Sequence, residues 1–189
     1  MKTQSEFIQA ICGALGNAGI PYMIGGSVAS SIHGLQRSTN DVDIVVAPTP
    51  AQLDEFLAAV SEFYVSRPAA LDAHRRRSMF NVIDMPSGHK ADLIFLKQRP
   101  YSETELERRV RIRFAGREIF VASPEDVILS KLEWSKIGEL ERQFQDAVGV
   151  ALTNGPQLDI GYLEKWAVEL GVVEGLHELM RQLREISSQ

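Results

Sequence analysis

Residues 24–46 read IGGSVASSIHGLQRSTNDVDIVV. Near the start, Gly25-Gly26-Ser27 follows the short apolar run Ile20–Ile24, a pattern that predicts a strand, a tight turn and a short helix over Ser27–Ile32. Near the end, Asp41–Val46 is rich in β-branched residues and predicts a second strand. The stretch therefore predicts a strand, turn, helix and strand in which polar residues stand at two strand ends.

The second strand carries two aspartates, Asp41 and Asp43, one residue apart. Side chains at positions i and i+2 of a strand point to the same face, so these carboxylates lie side by side while Val42 and Ile44 point to the other face. Two close carboxylates repel each other unless one is protonated or a cation lies between them. Oxygen ligands at this spacing suit Mg²⁺, although a solvent-exposed strand end or a turn cap is the alternative interpretation.

The turn at Gly25, Gly26 and Ser27 is a candidate phosphate site. Glycines allow a ligand to approach the backbone closely, and the following helix N-terminus offers N–H groups and a partial positive charge. Ser27 adds a hydroxyl donor. An ordinary tight turn would have the same local sequence, but a metal pair about fifteen residues later favours phosphate binding.

A third carboxylate stands at the edge of another predicted strand. The apolar runs Phe80–Met85 and Ala91–Leu96 are separated by residues 86–90, PSGHK, which predict a hairpin with a longer loop. If the strand of Asp92 lies beside that of Asp41 and Asp43, the three carboxylates converge. Such a trio can hold two divalent ions, one activating a hydroxyl and one clamping a triphosphate. Asp84, across the hairpin, is the competing candidate.

Composition sets the broad class of the protein. The chain has 189 residues and a net charge of −5, and its length fits one ordinary domain or a domain plus a small appendage. Its single cysteine cannot form an internal disulfide, which fits a reducing compartment. The start MKTQSEFIQA lacks a signal-peptide core, and no apolar run approaches membrane-spanning length. The sequence therefore predicts a soluble, cytoplasmic protein with no membrane association.

Charge is distributed unevenly along the chain. The segment Arg67–Arg117 contains 12 basic and 6 acidic residues, although the whole chain is acidic. This segment could face a polyanion such as RNA, through His74-Arg75-Arg76-Arg77 or the arginines near Arg109. Solvated surface charge is an equally good interpretation of the same residues.

The sequence changes character at Ser123. Ser123-Pro124-Glu125-Asp126 is a strong helix start, and helical periodicity continues almost to the end, broken at residues 154–156 and at Gly171. We therefore predict a catalytic domain over residues 1–120, followed by a helical C-terminal region over residues 121–189 that packs on it.

Taken together, these motifs resemble the DNA polymerase β-like nucleotidyltransferase superfamily. More narrowly, they resemble the small bacterial abortive-infection-type (AbiEii-like) nucleotidyltransferase toxins and their uncharacterised relatives. The glycine-serine motif of the family falls on Gly25, Gly26 and Ser27, its metal pair on Asp41 and Asp43, and its third carboxylate on Asp92. The resemblance implies an α+β fold, with a nucleotidyltransferase-like mixed β-sheet flanked by helices and followed by a C-terminal helical bundle segment.

Four further residues are candidates in the light of this resemblance. Arg37 and Thr39 precede the metal pair, and either phosphate binding or ordering of the loop would explain them. The toxin-like subgroup has a lysine on a following helix and an acidic residue on the next, positions similar to Lys131 and Asp146. Lys131 lies on a predicted apolar helix face, where a triphosphate would supply its anion, but a snorkelling stem is the alternative.

The resemblance implies a function. We expect transfer of a nucleoside monophosphate from a nucleoside triphosphate to a hydroxyl, with release of pyrophosphate and two Mg²⁺ or Mn²⁺ ions at Asp41, Asp43 and Asp92. The acceptor that the resemblance implies is RNA, such as a tRNA end, in a toxin–antitoxin system with an antitoxin protein as partner. Nucleotidylation of a small-molecule hydroxyl, as in antibiotic-modifying enzymes, and an inactive nucleotide-binding module are the alternatives.

Overall fold

The computed structural model of the chain describes residues 1–35, 39–136 and 140–187. The chain forms two compact units. The first comprises Met1–Gly25 and Ser38–Val121, and the second comprises Gly26–Arg37 and Ala122–Gln189. The helix that follows the glycine motif therefore belongs to the second unit, whereas the sequence analysis assigned it to the N-terminal catalytic domain.

The first unit is built on one seven-stranded mixed sheet. Its strands are β1 (Tyr22–Ile24), β2 (Asp41–Val46), β3 (Tyr64–Val65), β4 (Met79–Asp84), β5 (His89–Phe95), β6 (Val110–Phe114) and β7 (Arg117–Val121). They lie side by side in the order β3-β4-β5-β2-β1-β7-β6. The pairs β2–β5 and β1–β7 are parallel, and the other neighbouring pairs are antiparallel. The predicted α+β class with a mixed sheet is confirmed.

Four helices belong to the first unit: α1 (Gln4–Asn17), α3 (Pro50–Ala59), α4 (Arg67–Arg76) and α5 (Pro100–Glu107). Helix α3 begins with the capping box that its sequence predicts. The Thr49 hydroxyl accepts from the backbone N–H of Gln52, and the side-chain oxygen of Gln52 accepts from the backbone N–H of Thr49. Helices α1 and α4 cover one face of the sheet, where the ring of Phe7 lies 6.0 Å from His89 and that of His74 lies 5.3 Å from Phe95.

Three elements of the first unit, α4, α5 and β6, were not predicted from the sequence. The hairpin also differs from its prediction, because β5 begins at His89, two residues before the predicted start at Ala91. Lys90, which we had placed in the loop, is therefore a strand residue. As a strand residue, Lys90 shares a face of the sheet with Asp92.

The second unit is helical in the part of the chain that the structure describes. It contains α2 (Gly26–His33), α6 (Pro124–Ser135), α7 (Leu140–Asn154), α8 (Ile160–Leu170), α9 (Val173–Ser187) and a short 3₁₀ turn at Gly155–Gln157. Helix α6 starts at the predicted cap, where the Ser123 hydroxyl accepts from the backbone N–H of Asp126 at 3.2 Å. Helix α8 ends at Gly171, which has φ +63°.

Helix α2 packs tightly against α7. A Cβ atom added at Gly34 would lie 2.8 Å from the backbone nitrogen of Val150 and 2.9 Å from the carbonyl carbon of Gly149, so only glycine fits there. The Asn154 side chain donates to the His33 carbonyl at 2.7 Å and to the Val150 carbonyl at 2.8 Å.

Among the helices that the structure describes, none is long and apolar enough to cross a membrane.

Candidate active site

Strand β2 places two aspartates, Asp41 and Asp43, among buried apolar residues. Val42, Ile44 and Val46 are almost fully buried, with exposures of 1%, 0% and 2%, whereas Asp41 is exposed and Asp43 is half-buried. The alternation of a strand therefore puts the apolar residues into the core of the first unit and both carboxylates on the opposite face.

Strand β5 brings the third carboxylate to the same face. It runs parallel to β2 with Asp43 directly opposite Asp92 and Ile44 opposite Leu93. Leu93 is fully buried and Asp92 is half-buried. Neighbouring strands lie about 4.8 Å apart, so Asp43 and Asp92 occupy adjacent positions on the face that also carries Asp41.

The competing candidate, Asp84, lies on the other face of the sheet. It ends β4 after the buried residues Phe80 and Val82, with which it shares a side of the strand, and it is 5% exposed. Its carboxylate accepts from the Ser87 hydroxyl, and its carbonyl accepts from the Gly88 N–H at 2.8 Å. Asp84 is thus a turn residue of the β4–β5 hairpin, in a position that cannot share a ligand with Asp43.

Lys90 lies between two of the carboxylates, a feature that the sequence analysis missed. Its Nζ is 3.2 Å from Oδ2 of Asp41 and 3.2 Å from Oδ2 of Asp92. Partial burial lowers the pKa of the Lys90 ammonium, but hydrogen bonds to Asp92 and Asp41 outweigh this effect, so the pKa lies above its ordinary value of 10.5. The signal was present in the spacing, since Lys90 and Asp92 are two residues apart on one strand.

Asn81 is the second missed residue. It lies on β4 directly opposite Asp92 in the antiparallel hairpin, and its amide donates to Oδ1 of Asp92. Because Lys90 donates to Oδ2, both oxygens of Asp92 are held by neighbours on the sheet. Hairpin register, which depends on turn length, was needed to find this pair.

The glycine motif is tied to β2 through the backbone. The N–H of Gly25, just after β1, donates to the carbonyl of Asp43 at 2.9 Å. Among the described residues, nothing lies within 4 Å of a Cβ placed on Gly25, so the space beside this residue is open. Gly26, the next residue, starts α2 with φ +55°, a left-handed conformation that favours glycine. Glycine at position 25 therefore leaves open space beside the backbone, whereas glycine at position 26 permits the left-handed conformation.

The loop before β2 carries the predicted residues Arg37 and Thr39. Arg37 lies outside the described residues. The Thr39 hydroxyl donates to the carbonyl of Asp41 at 3.1 Å, and the Thr39 carbonyl accepts from the side chain of Gln4. Both contacts lie directly before the carboxylate pair in the chain.

In the second unit, Lys131 and Asp146 form a buried ion pair. Lys131 on α6 and Asp146 on α7 have side-chain exposures of 4% and 14%, and their charged atoms are 2.8 Å apart. Lys131 also donates to the Gln143 side chain at 2.7 Å. The anion that meets the Lys131 charge in this unit is therefore a carboxylate of its own chain.

Four arginines of the basic clusters that suggested RNA have partners within the first unit. Arg75 and Arg76 on α4 pair with Asp72 at 3.1 Å and 3.0 Å. Arg111 on β6 pairs with Glu118 at 3.4 Å, and the Arg109 guanidinium lies 4.8 Å from the centre of the Phe120 ring. These pairs are exposed on the surface, so the excess of basic residues in Arg67–Arg117 remains.

The sheet face that carries Asp41, Asp43 and Asp92 offers the type of ligand atom that a divalent cation prefers. Three carboxylates share one face, and two of them already bind a cation, the Lys90 ammonium. Hard oxygen donors of this kind are those that Mg²⁺ and Mn²⁺ prefer. Within residues 1–35, 39–136 and 140–187, however, no group of three or more His, Cys, Asp or Glu side chains is already gathered closely enough to hold a metal ion. The donors fit, but their side chains would have to rearrange.

Comparison with known proteins establishes the fold. No protein-family model matches the chain, and no curated protein matches it in sequence. Among solved structures, ANT(2")-Ia in complex with adenylyl-2"-tobramycin superposes with a TM-score of 0.61 at 15% identity, over 89% of this chain and 97% of that one. The chain has a nucleotidyltransferase-like fold.

Two further structures extend this nucleotidyltransferase likeness. An antigenic nucleotidyltransferase-like protein from Paracoccidioides brasiliensis has a TM-score of 0.61 at 16% identity, over 98% of this chain and 90% of that one. The lincosamide antibiotic adenylyltransferase LnuA, solved with lincomycin bound, has a TM-score of 0.51 at 12% identity, over 79% and 96%. A shared fold at such identities leaves the chemistry to be argued from the side chains.

Proposed function

We propose that this protein transfers a nucleoside monophosphate from a nucleoside triphosphate to a hydroxyl acceptor. The observation that carries the proposal is the parallel register that sets Asp43 opposite Asp92, on a face that also carries Asp41. Three carboxylates on one face supply the hard oxygen donors that a divalent cation prefers. The backbone bond from Gly25 to Asp43 supports a phosphate site next to this face.

The reaction forms one bond and breaks one. The acceptor oxygen attacks the α-phosphorus, the bond from that phosphorus to the bridging oxygen breaks, and pyrophosphate leaves. Asp92 is the proposed base that takes the acceptor proton, and the amide of Asn81 holds its carboxylate through Oδ1. No covalent intermediate with the protein is needed, because positioning and charge neutralisation supply the rate.

Each remaining residue has a proposed binding role. Asp41, Asp43 and Asp92 would hold two Mg²⁺ or Mn²⁺ ions, which neutralise the triphosphate and lower the pKa of the acceptor hydroxyl. Gly25, with Gly26 and Ser27 directly after it in the chain, offers backbone and hydroxyl donors to the β- and γ-phosphates.

For Arg37, Thr39 and Lys131 the proposed role is auxiliary. Arg37 and Thr39 would bind phosphate or order the loop before β2, and the bond from Thr39 to Asp41 supports the second role. Lys131 remains a proposed phosphate cation by resemblance alone, and it would have to share its charge with Asp146.

The acceptor is proposed to be a small-molecule hydroxyl rather than the RNA that the sequence analysis placed first. The structural neighbours favour the small molecule, because ANT(2")-Ia and LnuA act on antibiotics, as their structures with adenylyl-2"-tobramycin and lincomycin indicate.

A labelling experiment tests the function. The protein is incubated with each α-labelled triphosphate, Mg²⁺ or Mn²⁺, and either pooled small hydroxyl compounds, including aminoglycosides and lincosamides, or pooled RNA. We expect transfer of label that disappears in Asp41→Asn and Asp43→Asn. Asp54→Asn, an exposed carboxylate on α3 that pairs with Arg67, is the matched control and should keep the activity.

The distribution of label separates the hypotheses. Label on a small molecule supports the acceptor proposed here. Label on RNA, lost in the same variants, supports the toxin-type alternative, for which an antitoxin partner would then be sought. Nucleotide binding without transfer to any acceptor would overturn the proposed activity and leave an inactive nucleotide-binding module of the same fold.

A further inference from the structure

Lys90 occupies the space between two proposed metal ligands. Its ammonium is 3.2 Å from an oxygen of Asp41 on the neighbouring strand and 3.2 Å from an oxygen of Asp92 on its own strand. Both carboxylates lie on the face that Lys90 shares with Asp92 through the i, i+2 rule. The chain thus provides its own cation for the carboxylates that the proposed function assigns to a metal.

This arrangement explains why the carboxylates are not gathered into a metal-binding group. Each of the two oxygens points to the ammonium, and Asp92 is further held by the amide of Asn81. Because like charges repel, the ammonium cannot keep both ion pairs while the same oxygens ligate a divalent cation. The structure therefore describes one of two mutually exclusive ways of neutralising this face.

We propose that Lys90 is a displaceable counter-cation, which neutralises Asp41 and Asp92 in the nucleotide-free protein and must leave before these carboxylates can bind a divalent ion. The inference rests on the proposed function, which supplies the metal. Its consequence is that Lys90 weakens metal binding to the free protein and favours entry of the metal together with the triphosphate.

The side chain of Lys90 is suited to such movement. It is 32% exposed and is the second residue of β5, so its departure leaves the buried face of the sheet unchanged. A lysine carries its charge on a flexible four-carbon stem with three donors. Once it leaves the carboxylates, the ammonium can donate to anionic oxygens of a triphosphate bound at the same face.

Metal titration tests the inference without reference to transfer. Mn²⁺ binding to the nucleotide-free protein is measured from the electron paramagnetic resonance signal of free Mn²⁺. Lys90→Met and Lys90→Gln, which remove the charge, should bind Mn²⁺ about tenfold more tightly than the wild type. Lys90→Arg keeps the charge and should bind no more tightly. Lys97→Met, which removes an exposed lysine just beyond β5, should leave the affinity unchanged.

Thermal unfolding provides a second readout. In EDTA, Lys90→Met and Lys90→Gln should melt at a lower temperature than the wild type, because the carboxylates repel each other without a cation. Added Mn²⁺ should raise the melting temperature of both variants by more than it raises that of the wild type. Two neutral variants are used because Gln keeps a donor and Met keeps the length of the stem.

The outcomes distinguish this inference from the proposed function. If folded Lys90→Gln and Lys90→Met bind Mn²⁺ no more tightly than the wild type, the counter-cation inference is overturned, even where the wild type transfers label. If neither variant nor the wild type binds Mn²⁺, the inference and the metal-dependent function are both overturned. Tighter binding in both variants supports the inference, even where no acceptor has been found.

Discussion

Asp43 and Asp92 are direct register partners on the parallel strands β2 and β5. The two residues are about fifty positions apart in the chain. Each stands between two buried apolar residues of its own strand. The pairing makes the carboxylate site a property of the sheet itself rather than of a loop. Substitutions at this site can therefore be separated from effects on folding.

The two hairpin aspartates should respond differently to substitution. Asp92→Asn should lower the rate of nucleotidyl transfer by about a hundredfold or more, because it removes the proposed base and a ligand, with little loss of stability. Asp84→Asn should lower the free energy of unfolding, since Asp84 is buried and its carboxylate accepts from Ser87. Label transfer per folded protein, with unfolding followed by circular dichroism, checks both. An Asp84 variant that folds but transfers no label would contradict the assignment.

Gly25 and Gly26 should separate function from stability. Gly26→Ala forces a side chain into a left-handed conformation and should cost about 1–2 kcal/mol in the free energy of unfolding. Gly25→Ala places its Cβ in open space and should leave stability nearly unchanged while weakening triphosphate binding. Urea unfolding and nucleotide titration measure the two effects. A Gly25 variant with wild-type nucleotide affinity would argue against the phosphate site.

Gly34 should be intolerant of any side chain. The Cβ of Gly34→Ala would lie 2.8 Å from the backbone nitrogen of Val150, and backbone cannot move as a flexible side chain can. We expect a loss of about 1–3 kcal/mol in the free energy of unfolding. Gly155→Ala, whose Cβ meets no described atom within 4 Å, is the control. Equal stability of the two variants in urea would show that α2 does not pack on α7 as described.

Lys131 and Asp146 should behave as a coupled pair. Lys131→Met leaves the mostly buried Asp146 carboxylate without its cation and should cost about 3–5 kcal/mol in the free energy of unfolding. The double variant Lys131→Met, Asp146→Asn should lose less than the two single variants together. Urea unfolding of all four proteins gives the coupling. Additive losses would point instead to an anion other than Asp146 as the partner of Lys131.

His33 gives the second unit a dependence on pH. Desolvation at its half-buried position lowers the pKa of His33 below 6.5, and the bond to the Ala122 carbonyl at 2.8 Å and the charge of Glu125 oppose this only in part. Since the unfolded state binds the proton more readily, the stabilisation is present above about pH 6.5 and is lost as the pH falls through the folded value.

The comparison of two proteins tests this pH dependence. Between about pH 7.5 and about pH 5.5, the wild type should lose more unfolding free energy than His33→Gln, which can still donate to Ala122. The ring proton signals of His33 in a nuclear magnetic resonance titration should give a midpoint below 6.5. A midpoint above that value would reverse the sign and contradict the account.

The sequence predicted best those elements whose signals are local. Strand β2 was predicted with its observed bounds, because its alternation and its flanking loops agree. Helices α3 and α6 begin at the predicted caps Thr49 and Ser123. Asp41 and Asp43 were placed on one face for the same reason, since the i, i+2 rule needs only two residues and a strand. Asp92 depended on the pairing of β5 with β2, which the sequence left open between Asp92 and Asp84.

The missed elements lack such local signals or depend on register. Helix α4 buries only Ala70 and Ala73, so it shows no apolar periodicity. Strand β6 alternates Val110, Ile112 and Phe114 with arginines that we had considered only as charge. Lys90 was missed because its role depends on where the hairpin turn ends, and a shift of two residues moved it from loop to strand.

The second unit is assembled from two separate stretches of the chain, which limits how its helices can be exchanged between proteins. The C-terminal helices share their unit with α2, an insert between β1 and β2 whose packing depends on Gly34 against Gly149 and on Asn154. A truncation after Val121 would strip α2 of its neighbours and expose apolar surface beside the glycine motif. The helical part therefore cannot be exchanged between proteins as a detachable cassette, and recombination would have to carry residues 26–37 along with it.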